Sequence, residues 1–310
     1  MTEHLEGTRL LVFPEHDGLR LDQFLAAATS LSRRAARKLI SDCAVARNSQ
    51  PTRVLGRQVE WGDVIDVLRS SAELEVPPRP ELHELSILHE DRWLMAVAKP
   101  AGMLSQPGSK PTTELALDQL ALLRLALSQG ARQYLRMVHR LDRLTSGVAL
   151  FARNPQAQAP LVRAWGDGSV ERRYLAVIEG SPEVEETLIE GPIARDHDHN
   201  WRFRVADSGR AAQTEVRVRA RLDNDLAVIE CRLLTGRTHQ VRVHLADWGH
   251  PVLGDRLYGS LRASEAPRPL LHASVMALPH PNDGSIIRIT APIPTDMAAY
   301  LPPDLMVPNT

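Results

Sequence analysis

The sequence predicts an α+β fold with about two domains. Helical spacing marks two segments near the N-terminus, whereas from Leu85 onward short β-like runs recur without regular alternation of strand and helix. That order favours an α+β sheet domain over a doubly wound one. A chain of 310 residues has room for about two domains of roughly 150 residues each. Its 43% apolar and 24% charged residues are typical of globular proteins.

Two helices are predicted first. Apolar residues from Leu21 to Ala28 recur at helical spacing, and Ser32 is placed to cap a second helix. On a helical wheel of about 100° per residue, the second helix separates a basic arc from an apolar arc. The basic arc holds Arg33, Arg34, Arg37 and Lys38, and the apolar arc holds Ala35, Ala36, Leu39 and Ile40. Because no acid is interleaved on the basic arc, a binding face is favoured over an ordinary solvated one.

The charge of the chain is unevenly distributed. From Leu31 to Arg57 there are seven basic residues against one acid, Asp42, although the whole chain carries a formal net charge of −1. A near-neutral total argues against a non-specific polyanion binder. Local asymmetry matters more than the total for contact with a phosphate backbone, so the basic arc is the candidate contact surface.

A compact β-rich stretch follows the helices, from Val45 to Val67. The next segment, Ser70 to Glu84, contains three prolines and scattered acids, a composition typical of a stiff, extended linker. The sequence therefore predicts an N-terminal extension over 1–17, a small domain over 18–70, a linker over 71–84 and a larger domain over 85–310.

The larger domain is expected to be rich in strands. The run from Thr214 to Ala220 alternates between polar and apolar residues, as a half-buried strand does. A helix is predicted from Thr113 to Leu127. Further short strands are predicted at Leu94 to Ala98, Val148 to Phe151, Tyr174 to Ile178 and Leu226 to Leu234.

One stretch, from His139 to Arg153, combines a carboxylate with several arginines. Asp142 lies between Arg140 and Arg143, and a Thr-Ser-Gly turn and an apolar strand follow. Nearby positive charge favours the ionised form of a carboxylate. The turn places this loop at the start of a strand, and loops held by a rigid scaffold often carry catalytic or binding residues. On these residues alone a surface ion pair is the commoner interpretation.

The nine residues His139-Arg140-Leu141-Asp142-Arg143-Leu144-Thr145-Ser146-Gly147 resemble the HRLDxxTSG signature of RluA-type RNA pseudouridine synthases. Three further stretches resemble that family in the same order, at 97–108, 172–176 and 234–259. Ala98 and Gln106 stand where the family usually has Asn and His. The resemblance implies a mixed, mainly antiparallel catalytic sheet and isomerisation of uridine to pseudouridine in RNA after base flipping.

The resemblance also implies roles for individual residues. Asp142 would be the catalytic residue, and Arg237 would pair with it. Tyr174 would stack on the flipped base and accept a proton from the ring carbon, and Arg140 would fill the space that the base leaves. Three routes stay open for Asp142: attack on the anomeric carbon, addition to the uracil ring, or assistance of elimination through a glycal.

The segment from Gly18 to Leu68 resembles the αL-type RNA-binding domain first named for a small-subunit ribosomal protein. The matching residues include Arg20-Leu21-Asp22-x-Phe24-Leu25 and Gly62-Asp63-Val64-Ile65. Cys43 and Asn48-Ser49 occupy places where that domain usually has a glycine and an Asn-Gly turn. The resemblance implies that the basic arc binds the substrate RNA.

No cofactor is expected, because the isomerisation oxidises nothing and loses no group. The sequence contains no CxxC, HExxH, P-loop or GxGxxG motif. His239, His244 and the His197-Asp198-His199 run lack the spacing or partners of a metal site, so no metal is expected. The two cysteines, Cys43 and Cys231, fit reduced packing residues of a cytoplasmic protein.

The expected partner is RNA, with no membrane and no nucleotide cofactor, and a monomer is predicted. The start of the chain lacks the pattern of a signal peptide, and no apolar run approaches the ~20 residues of a membrane span. The resemblance to family members that carry this N-terminal domain implies large-subunit ribosomal RNA as the leading substrate, with transfer RNA as the second. Two other classes remain as alternatives: a non-catalytic RNA-binding factor for ribosome assembly, and a base-excising glycosidase.

Overall fold

The computed structural model describes residues 8–68, 82, 84–108, 114–197, 199 and 201–306. The chain divides into two compact units. The N-terminal unit comprises Met1–Glu84 and Lys110–Leu135, and the sheet unit comprises Leu85–Ser109 and Arg136–Thr310. Most of the predicted linker over 71–84 lies outside the described residues.

In its described part, the N-terminal unit combines a small sheet with three α-helices and a short 3-10 helix, Pro14–His16. The strands are β1 (Thr8–Leu11), β2 (Val45–Arg47), β3 (Gln50–Pro51) and β4 (Val64–Val67), and the helices are α1 (Leu21–Ala28), α2 (Arg33–Ser41) and α3 (Leu117–Gln129). The sheet has the strand order β1-β4-β2-β3. Its core includes the fully buried Phe24, Ile40 and Ile65.

Helix α2 begins where the sequence predicts. The Ser32 hydroxyl accepts a hydrogen bond from the backbone N–H of Ala35 at 3.2 Å, which satisfies one of the free donors at the helix start. Ala36 and Ile40 of the apolar arc are fully buried in the core of the N-terminal unit. Periodicity is therefore sufficient to predict both the helix and its buried face.

The basic arc does have an acidic partner, which corrects the expectation drawn from α2 alone. Asp22 of α1 is fully buried, and it accepts hydrogen bonds from Arg37 at 2.8 Å and Arg33 at 3.3 Å. Burial alone would raise the pKa of Asp22, but the hydrogen bonds from Arg37 and Arg33 hold it below its usual value. Arg34 and Lys38 are exposed on the same helix, so the arc keeps a positive surplus.

The hairpin between β2 and β3 keeps the backbone shape that glycine usually provides. Asn48 and Ser49 have φ values of 51° and 65°, as both central residues of a type I′ turn require. The Asn48 side chain donates to Asp63 at 2.8 Å and accepts from the N–H of Val64 at 3.0 Å. Cys43 is also left-handed, with φ 58°. Side-chain hydrogen bonds therefore hold the turn without the usual glycine.

Helix α3 starts later than predicted and groups with the N-terminal unit. It begins at Leu117 and ends at Gln129, where Gly130 adopts a left-handed φ of 69°; Thr113 lies outside the described residues. Leu123 and Ala126 pack with the apolar side chains of β1 and β4. This helix completes the core of the N-terminal unit, although its residues fall within the range 85–310 predicted for the larger domain.

The sheet unit is built on a mixed, mainly antiparallel sheet, which confirms the predicted α+β class. Its strands are β5 (Ser86–Glu90), β6 (Leu94–Lys99), β7 (Arg136–Met137), β8 (Ser146–Ala152), β9 (Glu171–Glu179), β10 (Glu186–Glu190), β13 (Gln213–Leu222), β14 (Leu226–Leu233), β15 (Leu271–Pro279) and β16 (Ile286–Thr290). The strand order among the described residues is β10-β13-β14-β9-β15-β8-β6-β5, with β16 beside β15 and β7 beside β8. All these pairs are antiparallel except β8 with β15.

Helices and a separate hairpin complete the sheet unit. The helices are α4 (Pro155–Gly166), α5 (Gln240–Asp247), α6 (Thr295–Ala298) and α7 (Pro303–Met306), and the hairpin consists of β11 (Ile193–Arg195) and β12 (Phe203–Val205). Val241 and Leu245 of α5 pack against the sheet core. In the described part of the chain, no helix combines the length and the apolar character needed to cross a bilayer.

Strand β8 positions the loop that carries Asp142. All seven of its residues are buried, and it lies between β6 and β15 in the sheet. Gly147 has φ 125°, and a Cβ there would lie 2.2 Å from the carbonyl oxygen of Ala273. A side chain would separate β8 from β15, so glycine is required where the loop enters the sheet.

A candidate active site around Asp142

The loop before β8 is held by hydrogen bonds on both sides of Asp142. The Ser105 hydroxyl donates to the carbonyl of Leu141 at 2.7 Å and accepts from its N–H at 3.0 Å. The side chain of Arg143 donates to the carbonyl of Gly102 at 2.8 Å, and the N–H of Gly102 donates to the carbonyl of Arg143 at 2.8 Å. These bonds fix the backbone on either side of the carboxylate.

Lys99 supports the same loop from below. Its Nζ donates to the carbonyl oxygens of Pro100, Arg143 and Thr145 at 2.9, 3.0 and 2.8 Å. The side chain is only 1% exposed. Burial lowers the pKa of Lys99 to about 7, while the carboxylate of Asp142 acts in the opposite direction. Lys99 is therefore a structural contact between β6 and the loop.

Replacing Lys99 with Met is expected to lower the free energy of unfolding by about 1–3 kcal/mol, because three carbonyl oxygens each lose the hydrogen bond from Nζ. The pKa of Lys99 is about 7 in the folded chain, against 10.5 for a lysine in water. Between these values the unfolded chain binds more protons, so wild-type stability relative to Lys99→Met should rise with pH. Urea unfolding of the full chain at pH 7 and pH 9.5 measures both effects.

The exposed Lys38 supplies the matched control for that measurement. Lys38→Met should leave the free energy of unfolding unchanged at both pH values, since an exposed lysine has nearly the same surroundings in the folded and unfolded chain. A wild-type minus Lys99→Met difference that stays constant from pH 7 to pH 9.5 would contradict the lowered pKa of Lys99, and a difference near zero at both pH values would contradict its structural role.

Arg268 is a second support of the loop. Its guanidinium donates to the carbonyls of Leu144 and Leu271, both at 3.1 Å, and to the hydroxyl of Ser146 at 3.2 Å. Asp296 of α6 accepts two further bonds from it, at 2.6 and 2.9 Å. Arg268 is 5% exposed. This buried arginine connects the loop, β15 and the C-terminal region.

Arg242 of α5 is the cation that meets Asp142. Its Nη1 lies 3.4 Å from Oδ2 of Asp142, and its Nε and Nη2 donate to the two carboxylate oxygens of Asp255 at 2.6 and 2.8 Å. Its Cζ lies 4.9 Å from the ring centroid of Tyr258. Burial alone would lower the pKa of Arg242, but the hydrogen bonds with Asp255 raise it above its usual value. The guanidinium is therefore fixed and positively charged beside Asp142.

The predicted pair between Asp142 and Arg237 is corrected by this geometry. The Nε of Arg237 donates to the carbonyl of Ala211 at 3.0 Å, and its backbone N–H donates to the side chain of Gln240 at 3.0 Å. Arg237 lies in the turn before α5, whereas Arg242 lies inside the helix. Both arginines belong to the stretch that resembles the family, and the residue order does not show which one turns toward Asp142.

His239 also approaches Asp142. Its Nε2 lies 3.8 Å from Oδ1 of Asp142, and its Nδ1 lies 2.7 Å from the hydroxyl of Tyr258. Burial raises the pKa of Tyr258 to about 12 and lowers the pKa of His239. The phenol and Nδ1 therefore share one hydrogen bond, and Nε2 of the imidazole faces Asp142.

Tyr174 lies on β9, opposite Cys231 of β14. Burial raises its pKa to about 12; the positive charge of Arg172 opposes this shift, and the carboxylate of Asp142 adds to it. The phenol therefore keeps its proton near neutral pH.

A large cleft of about 1670 Å³ opens above these residues. It exceeds the volume of about 300–1,000 Å³ that is usual for a small-molecule pocket. Asp142, Tyr174, Arg237 and the exposed Arg140 all line it. The structure thus brings these four predicted site residues to one surface, while the four basic residues of α2 belong to the N-terminal unit.

His244 of the sheet unit serves a structural contact. His244 is buried, with its Nδ1 2.9 Å from the hydroxyl of Thr214 and its Nε2 2.9 Å from the carbonyl of Gly191. Within the described residues, no group of three His, Cys, Asp or Glu side chains has the arrangement of a metal site. Asp198 lies outside the described residues.

Comparison with known proteins points to one family. The family model described as RNA pseudouridylate synthase matches residues 94–247. The ribosomal large subunit pseudouridine synthase D of Nitrosomonas europaea is 35% identical over 307 residues, covering 96% of this chain and 88% of that protein. The protein of the same name from Xylella fastidiosa is 37% identical over 261 residues, covering 80% of this chain and 76% of that one.

A solved structure agrees with these relatives. Human RNA pseudouridylate synthase domain containing 1 is 25% identical with a TM-score of 0.60, over 71% of this chain and 88% of that one. The human domain-containing protein 4 of the same series has a TM-score of 0.54 at 23% identity, which supports the fold.

Proposed function

This chain belongs to the RNA pseudouridylate synthase family, in its RluA-type branch, and from that premise we propose that it modifies large-subunit ribosomal RNA with Asp142 as the catalytic residue. As an RNA pseudouridine synthase it isomerises uridine, so the bond from the sugar to a ring nitrogen is broken and a bond to a ring carbon is made. The relatives named for the large ribosomal subunit support this substrate.

The observation that carries the catalytic assignment is the contact of Asp142 with Arg242. A side chain 26% exposed to the cleft, 3.4 Å from a buried guanidinium, is both reachable by substrate and held in one orientation. Attack on the sugar, addition to the ring and assistance of elimination all need a carboxylate placed in this way. Arg242 aligns Asp142 for each of the three routes.

The other cleft residues have complementary roles in the proposal. Extruding a base from its stack costs a few kcal/mol, and the exposed Arg140 has the length and charge to occupy the vacated space. Tyr174 presents its ring to the extruded uracil. Because burial raises its pKa to about 12, the phenol stays protonated near neutral pH, which favours stacking over the expected role as proton acceptor. Arg237, whose Nε is bonded to Ala211, is left with its terminal nitrogens for substrate phosphate or base.

Release of tritium from RNA labelled at carbon 5 of uracil tests the proposed function. Large-subunit ribosomal RNA transcripts should lose tritium in proportion to pseudouridine formed, and transfer RNA should not. Loss of label from transfer RNA alone would show that transfer RNA, and not ribosomal RNA, is the substrate. Abasic sites and free uracil would indicate a glycosidase. No release from any cellular RNA would favour a non-catalytic RNA-binding factor.

We further propose that the N-terminal unit binds RNA through α2. Changing both Arg34 and Lys38 to Gln should weaken RNA affinity and flatten its salt dependence, by a slope of roughly 0.7–0.9 for each phosphate that is no longer neutralised. These two side chains are exposed, whereas Arg33 and Arg37 also bond Asp22, so the double variant should leave the fold intact. Binding titrations at several salt concentrations measure the slope.

Arg217 provides the matched control for the binding titrations. It is an exposed arginine of β13, paired with Glu186, and Arg217→Gln should leave the salt slope unchanged. Adding Arg33→Gln and Arg37→Gln should weaken binding further. An unchanged slope in the quadruple variant would place the RNA path elsewhere.

A further inference from the structure

The hairpin of β11 and β12 presents an unusual aromatic surface to the cleft. Trp201, in the connection between the two strands, is 63% exposed. Its ring centroid lies 5.4 Å from that of His199, with the planes tilted by 34°, and both residues line the cleft that holds Asp142. A tryptophan this exposed contributes little to the core, so its packing in the chain alone does not account for it.

Positive charge accompanies this aromatic surface. The Cζ of Arg195 lies 6.0 Å from the ring centroid of Phe203, and the Cζ of Arg202 lies 5.8 Å from that of Tyr258. The Nε of Arg202 lies 3.9 Å from the carboxylate of Asp196, and the Arg202 side chain is 41% exposed. Arg195 and Arg202 both line the cleft, where a guanidinium is accessible to an anionic ligand.

The hairpin is fixed relative to Asp142. The backbone N–H of Phe203 donates to the hydroxyl of Tyr258 at 3.1 Å, and that hydroxyl bonds His239, which approaches Asp142. The rings of Phe203 and His239 also meet edge to face, 5.6 Å apart. The base of the hairpin is thus tied to the catalytic loop through two side chains.

We propose that Trp201 stacks on a nucleobase of the substrate beside the target uridine, while Arg195 and Arg202 contact the adjoining phosphates. This inference rests on the proposed function and adds a binding subsite to it. Aromatic stacking accepts any base, because every base has a π-face. It requires an unpaired neighbour, so the subsite selects a uridine in a loop or bulge over one inside a continuous duplex.

Tryptophan fluorescence of the full chain tests the stacking directly. Single-stranded oligouridylate should quench the wild-type signal, and Trp201→Phe should remove that component of the quench. The chain has five tryptophans, and Trp93, which does not line the cleft, is the matched control: Trp93→Phe should retain the quench. An equal quench in wild type and Trp201→Phe would overturn the proposal.

Affinity and turnover separate stacking from a structural role. Trp201→Ala should weaken binding of oligouridylate and raise KM for tritium-labelled ribosomal RNA by about 5- to 100-fold, the effect usual for one stacked base, with kcat within about threefold of wild type. Trp201→Phe, which keeps a flat ring, should restore most of the affinity. Unchanged affinity in Trp201→Ala would overturn the subsite while the proposed function stands.

The converse result is also distinguishable. If no RNA releases tritium but the quench and the affinity still depend on Trp201, the subsite is supported and the proposed function fails.

Discussion

Asp142→Asn is expected to abolish tritium release, by at least about 10⁴-fold in kcat, while RNA affinity stays within about threefold of wild type. Asparagine has the same shape, so the loop held by Ser105 and Lys99 should not change. It lacks the negative charge that meets Arg242 and the oxygen that can act as nucleophile or base. Single-turnover tritium release and a binding titration on the same RNA measure the two quantities.

Asp283→Asn is a suitable control for this change. Asp283 is an exposed carboxylate in a turn whose Oδ1 bonds Ser285, remote in sequence from the catalytic loop, and its amide should leave both turnover and binding unchanged. Retained isomerisation in Asp142→Asn would overturn the catalytic assignment. Loss of both binding and turnover would show that Asp142→Asn disturbs the structure of the site, so that the loss of turnover is not specific to the carboxylate.

Arg242→Gln is expected to lower kcat/KM by about 10²- to 10³-fold, the size usual for removal of one preorganised hydrogen-bond donor. It should also lower the free energy of unfolding by about 3–5 kcal/mol, because Asp255 becomes a buried charge without its partner. Single-turnover kinetics and urea unfolding give the two values. Arg242→Lys should recover only part of each, since an ammonium cannot bond both oxygens of Asp255 and reach Asp142.

Two further variants separate stability from catalysis at this position. Combining Arg242→Gln with Asp255→Asn removes the unpaired charge, so stability should return while turnover stays low. Arg237→Gln should act mainly on KM and cost under about 1 kcal/mol of stability, since only one exposed hydrogen bond, to Ala211, is removed. Equal kinetic effects of Arg237→Gln and Arg242→Gln would restore Arg237 as the partner of Asp142.

The sequence predicts the regular elements best where periodicity is strong. Helix α1, the cap of α2 and strand β13 agree with their predicted positions to within one or two residues, because each has one buried face that the pattern encodes. Helix α3 is predicted to begin at Thr113 and begins at Leu117. The observed cap is Ala116, whose side chain offers no oxygen to the free N–H groups, so the residue type does not mark the start.

The candidate site is predictable in part. The family motifs indicate Asp142, Tyr174 and Arg140, and the structure places all three along one cleft. The partner of Asp142 is not predictable, because Arg237 and Arg242 are five residues apart and the choice depends on where α5 begins. At the start of α5, His239 adopts a left-handed φ of 58°, a conformation that the sequence does not predict.

Lys99, Arg268 and the hairpin surface around Trp201 are beyond sequence reasoning for another reason. Lys99 and Arg268 act on backbone carbonyls from distant parts of the chain, and a carbonyl is present at every residue. No pattern of side chains distinguishes the carbonyls that will be bonded. Trp201 reaches its position only when β11 and β12 pair. These two strands have three residues each, which is too short for a clear alternating pattern in the sequence.

The hydrogen bonds that hold the loop carrying Asp142 imply that this loop is ordered before substrate binds. With Ser105, Lys99 and Arg268 already bonded to the loop backbone, the conformational entropy of the turn is lost during folding and not at the encounter with RNA. Under the proposed mechanism, more of the intrinsic binding free energy then remains for unstacking the uridine. A rigid turn of this kind also makes the reaction sensitive to substitutions in residues that never touch the nucleic acid.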